Sequence, residues 1–98
     1  MIKIVIADAQ YLIRVGLKDL LSATKDFKII GEATNSMELI NLVKEHQPQV
    51  VIFDYNSETN FRIEDIATVR EISKNTQFLV ISADESKANI YKAIQLGS

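Results

Sequence analysis

The stretch K3-I-V-I-A-D-A-Q10 decides how this chain is read. Ile4 to Ala7 is a short, continuous apolar run of the kind found in strands covered on both faces. It ends on a carboxylate, Asp8, followed at once by a small apolar residue, Ala9. A buried strand that terminates in an acid raises the question of what the acid serves. The answer depends on what the neighbouring strands end in.

Working outward, two hydrophobic patterns alternate. Ile2 to Ala7, Phe27 to Ala33, Val50 to Phe53 and Phe78 to Ile81 are strand-like runs rich in Ile, Val and Phe. Between them lie helical periodicities. Leu12, Ile13, Gly16, Leu17, Leu20 and Leu21 recur at spacings of three and four, predicting an amphipathic helix that ends near Ala23. Asn35 and Glu38 have capping-box spacing ahead of Leu39, Ile40, Leu42 and Val43, and Pro48 limits that second helix. A third helix is expected from about Ile63 to Ser73 and a fourth from about Ser86 to Leu96, stopping at Gly97. Strict alternation of strand and helix implies right-handed crossovers and a parallel sheet between two helix layers.

Bulk properties agree with one small domain. The chain has 98 residues, 47% of them hydrophobic and 24% charged, within the globular range. No apolar run approaches the roughly 20 residues that span a bilayer, and no signal peptide precedes the first strand, so a cytoplasmic protein without membrane contact is expected. The absence of cysteine excludes disulfides and thiolate metal sites. A net charge of −2 lacks the basic excess of a nucleic-acid surface, so direct DNA contact by this domain is not expected.

In an open parallel α/β sheet, ligands bind outside the carboxyl ends of the strands. The residues to read are therefore Asp8 after the first strand, Asp54 and Asn56 after the third, and Ser82 after the fourth. Two carboxylates and a hydroxyl converging on one edge suit a hard cation together with an anion. His46 stands alone near a helix end and reads as a solvated side chain favoured by the helix dipole. Tyr91, at helical spacing from Ala88 and Ile94, reads as packing.

At these residues the chain resembles the receiver domain of bacterial two-component response regulators, of the NarL/LuxR type that normally precedes a helix-turn-helix output domain. The matching stretches are "KIVIADAQYLIRVGLKDLL", "FKIIGEATNSMELINLVKEHQPQVVIFDYN" and "FLVISADES...YKAIQLG". The resemblance implies a flavodoxin-like, doubly wound parallel sheet of order 2-1-3-4(-5), with the fifth strand and fifth helix absent from residues 1–98, and a separate output domain that is also absent. It implies a phosphoacceptor at Asp54, a switch hydroxyl at Ser82, and a magnesium site formed by Asp8, Asp54 and the Asn56 carbonyl. The implied phosphoryl source is a sensor histidine kinase or a small phosphodonor. The implied role is that of a signal receiver rather than an enzyme, acting on DNA through the output domain and regulating transcription.

The chain departs from the family pattern in three places. Ala9 replaces the second acid of the pair after the first strand, so weak Mg2+ binding is expected. The loop "NSETNFR" lacks the usual proline and glycine, and the chain stops at Ser98, before the lysine that ends the fifth strand. These departures leave an alternative open, a degenerate receiver that serves as a phosphorylation-independent interaction or dimerisation module. An unrelated binder of a phosphorylated ligand is disfavoured because no glycine-rich phosphate loop follows any strand. In the implied strand order "FLVIS", Phe78 to Ser82, lies at an uncovered edge, so a homodimer or higher oligomer, or else a markedly less stable chain, is expected.

Overall fold

The computed structural model describes residues 1–54 and 61–81, with the side chain of Ile81 excepted. Its elements run β1 (Ile2–Ala7), α1 (Tyr11–Ser22), β2 (Phe27–Ala33), α2 (Ser36–His46), β3 (Val50–Asp54), α3 (Glu64–Ile72) and β4 (Gln77–Ile81). The four strands are all parallel and lie in the order β2-β1-β3-β4. This is the doubly wound, flavodoxin-like arrangement expected from the alternating pattern. The third strand extends through Asp54, and β4 begins one residue earlier than expected, at Gln77. Asn56, Ser82, the expected fourth helix and Tyr91 lie outside the described residues.

The two faces of the sheet are covered unequally. Against α2 and α3, Val5, Ala7, Val51, Phe53, Phe78 and Val80 pack with Leu39, Val43, Ile66 and Val69 in one continuous core. Phe53 is its hub, meeting Phe61 and Phe78 edge to face at centroid distances of 5.5 and 5.6 Å. On the α1 face, among the described residues, Ile4, Ile6 and Ile52 are fully buried, packed by Leu17 and Leu21. Leu12 and Leu20 are 80% and 70% exposed, so the apolar stripe of α1 is wider than the surface it covers. Arg14 and Lys18 share its inward side, because both pair with Glu32 of β2.

Local sequence explains the joins. The Asn35 side chain accepts the Glu38 amide at 2.9 Å, capping α2 as the spacing predicts. The Glu38 carboxylate reaches one residue beyond the cap, to the Thr34 amide at 2.7 Å. At its other end α2 closes on Gln47, in the left-handed conformation at φ 49°, and the chain turns into Pro48. The register between β1 and β2 shifts after Ile4, so that Ile29 is followed across the ladder by Gly31. A Cβ on Gly31 would stand 2.7 Å from Leu42 Cδ2. The glycine therefore lets α2 close onto β2 at the bulge. Beyond the bulge the ladder runs to Ala33, whose carbonyl accepts the Asp8 amide at 3.0 Å.

Candidate functional site

Ala7 pairs with Phe53 across the two central strands. The next residue of each strand is an aspartate, so Asp8 and Asp54 stand side by side at the carboxyl edge of the sheet. Both are buried, at 2% and 7% exposure. Asp8 is tied down on most of its polar groups. Its amide donates to Ala33, its carbonyl accepts from Arg14 Nη1 at 2.9 Å, and its Oδ1 accepts the Gln10 amide at 2.7 Å. The remaining oxygen, Oδ2, is buried and has no hydrogen-bond partner among the described residues.

Burial pushes the Asp54 carboxyl up to about 6, helped by the negative charge of Asp8 and by the approach of the two carboxyl groups. Two acids held this way can be relieved by a shared proton or by a cation. A proton on Asp54 would relieve the pair at low pH, and a divalent ion would do so at neutral pH. Magnesium characteristically takes one or two carboxylates, completing its shell with water and phosphate oxygens. Two acids, one of them with an unpartnered oxygen, fit that requirement. Ala9 adds only a methyl group, and no cluster of three acidic, histidine or cysteine side chains forms among the described residues.

Asn56 and Ser82, the other two residues expected at this edge, fall outside the described residues. His46 is well away in role: it is exposed at the end of α2, with Nε2 3.9 Å from Glu45. Two residues of consequence escape a reading by strand ends. Arg14 contacts the Asp8 carbonyl while its Nε donates to Glu32 at 3.1 Å. Asp65, buried at the start of α3, accepts the Ser36 hydroxyl and the Arg62 amide. A signal for Arg14 does exist in the sequence: Glu32 is the one charge within the apolar run "IIGEA", and Arg14 and Lys18 are four residues apart on one helix.

The response regulator receiver domain family matches residues 4–98. The transcriptional regulatory protein NarL of Mycobacterium tuberculosis is 31% identical over 97 residues, covering 99% of this chain and 45% of that protein. The chemotaxis protein CheY of Thermotoga maritima is 29% identical over 96 residues, covering 98% of this chain and 79% of that protein. The solved signal receiver domain of the Mycobacterium tuberculosis NarL superposes with a TM-score of 0.83 at 31% identity, covering 99% of this chain and 78% of that one. The chain thus spans about half the length of curated regulators such as NarL. From the buried acid pair, the strand order and these matches together, the chain belongs to the response regulator receiver domain family, of the NarL/LuxR type.

Proposed function

We propose that Asp54 is the phosphoacceptor of this receiver, taking a phosphoryl group from a sensor histidine kinase or a small phosphodonor in the cytoplasm. The observation that carries this reading is the buried Asp8–Asp54 pair with its unpartnered Asp8 oxygen. Two adjacent acids in a folded edge cost stability unless something binds between them. That cost favours a used site over a phosphorylation-independent module.

In the reaction an Asp54 carboxylate oxygen bonds to phosphorus as the donor's P–N or P–O bond breaks, and the donor departs with that electron pair. Asp54 attacks as the carboxylate, and in the metal-free edge burial and the charge of Asp8 favour its protonated form, so acid opposes the step. Asp8, Asp54 and the Asn56 carbonyl would hold magnesium, which when bound neutralises charge on nucleophile and phosphoryl oxygens. Asp8 orients that end of the edge, and the Ser82 hydroxyl would donate to a phosphoryl oxygen. The methyl group of Ala9 removes one charge and one ligand, so metal binding is weak. In the full-length protein the phosphorylated edge would control a DNA-binding output domain, with two receiver copies able to pair.

Intact-mass measurement after incubation with acetyl phosphate and magnesium tests the proposal. Wild type should gain one phosphoryl group and Asp54→Asn none. An unmodified wild-type chain, or equal labelling of Asp54→Asn, would overturn it.

A further inference from the structure

We infer that Arg14 is a positioning residue for the acidic edge: its guanidinium fixes the backbone of residues 8–10, so that the unpartnered oxygen of Asp8 stays directed into the site. The role rests on the phosphoacceptor reading of Asp54, because that reading is what gives the edge a reaction to support.

The Arg14 side chain is only 13% exposed, and its charge is spent on two acceptors from different elements. Nε donates to Glu32 Oε1 at 3.1 Å, and Nη1 donates to the Asp8 carbonyl at 2.9 Å. The guanidinium also lies over the Tyr11 ring, 5.6 Å from its centroid. Lys18 takes the second Glu32 oxygen at 3.0 Å, so Glu32 is engaged from both sides. An exposed ion pair of this kind would contribute little. Here one arm of the pair reaches a main-chain carbonyl next to the site.

The consequence falls on Asp8. Of its four polar groups, the amide is held by β2, the carbonyl by Arg14 and Oδ1 by the Gln10 amide. Only Oδ2 is left over. The Arg14 amide also donates to the Gln10 carbonyl at 3.1 Å, so the same residue closes the short turn by backbone and by side chain. If the guanidinium is lost, the Asp8 carbonyl can rotate, the Gln10 amide can leave Oδ1, and the carboxylate gains alternative rotamers. Partners that orient a metal ligand from behind typically matter by about 10- to 100-fold in metal affinity. Lysine is no substitute, because a single ammonium cannot reproduce the fork that spans Glu32 and the carbonyl.

The test uses the full chain, isotopically labelled, as wild type, Arg14→Gln, Arg14→Lys and Glu32→Gln. The first readout needs no metal: hydrogen exchange of the Gln10 amide relative to the Ile6 amide in the core of β1. The second is the magnesium concentration that half-saturates the amide shifts of Asp8 and Ala9. Arg14→Gln should speed Gln10 exchange selectively and weaken magnesium binding by about tenfold. Arg14→Lys should not restore either, and Glu32→Gln, which keeps the arginine but loosens it, should fall between and serves if Arg14→Gln folds poorly. Unchanged Gln10 exchange, or a loss of protection that is uniform across the sheet, would overturn the inference. Phosphoryl uptake by wild type is scored separately. Weaker magnesium binding in Arg14→Gln with no uptake in wild type would leave the positioning role standing and remove the phosphoacceptor reading. Normal uptake with unchanged exchange would do the reverse.

Discussion

Asp65 at the junction of α2 and α3 is buried as deeply as Asp8 and slightly more than Asp54, yet its surroundings are opposite in kind. Its Oδ2 accepts the Ser36 hydroxyl and, at 2.9 Å, the Arg62 amide. It also sits in the first turn of α3, where the helix dipole favours a negative charge. Asp8 and Asp54 face each other and leave a buried oxygen without a donor among the described residues, and the charge of Asp8 adds to the cost of ionising Asp54. Both regions bury carboxylates, so burial alone does not mark a functional acid. What separates them is whether the fold answers the charge. An answered acid joins two helices; an unanswered pair has the chemistry to take a ligand.

The contrast breaks most visibly by mutation at Asp65. Removing its carboxylate takes away the acceptor that joins the Ser36 hydroxyl and the Arg62 amide at a buried junction, and Asp65→Ala should cost about 1–3 kcal/mol in urea unfolding. The folded fraction should still accept a phosphoryl group on Asp54. A cost under about 0.5 kcal/mol, the ordinary range for a surface substitution, would mean that Asp65 is not structural after all.

Adding an acid where the site lacks one sharpens the other half. Ala9→Asp gives the edge a third carboxylate, and the magnesium half-saturation should fall roughly tenfold, equivalent to about 1.4 kcal/mol. Without metal the same change should lower stability, because a further like charge joins a pair already short of partners. Isothermal titration and a metal-free melt read the two effects. No tightening would place the weakness in the loop after Asp54 rather than at Ala9.

How much of this is legible in the sequence follows from the range over which each feature acts. The strands are written locally, as apolar runs that end in Ala7, Ala33 and Asp54, and the α2 start is written in the four residues Asn35 to Glu38. Asp8 and Asp54 could be placed because a parallel sheet brings consecutive strand ends to one edge whatever the side chains are. Asp65 could not. Its hydroxyl partner is 29 residues away, and an acid in a first helical turn is ordinary. Arg14, 18 residues from Glu32, was only hinted at, by the lone charge in "IIGEA" and the four-residue spacing of Arg14 and Lys18. The apolar stripe of α1 misled for a related reason. Periodicity counts Leu12 and Leu20 with Leu17 and Leu21, but among the described residues the latter two pack on the sheet while Arg14 and Lys18 on the same side pair with Glu32.

The pH dependence of stability in wild type and Asp54→Asn, measured without divalent cations, tests the unanswered pair most directly. The Asp54 carboxyl moves from an ordinary 3.8 to about 6 in the folded protein, so between these values the folded state holds a proton that the unfolded state has released. The sign is fixed by that order. This stabilisation is complete below about pH 4 and is lost as pH rises through 6. Asp54→Asn cannot titrate there, so its stability relative to wild type should rise across that window. It should level off at a gain on the order of 1 kcal/mol once solvent screening at the edge is allowed for. A difference between the two proteins that stays flat from pH 4 to 7, or a wild type that becomes the more stable of the two as pH rises, would contradict the account.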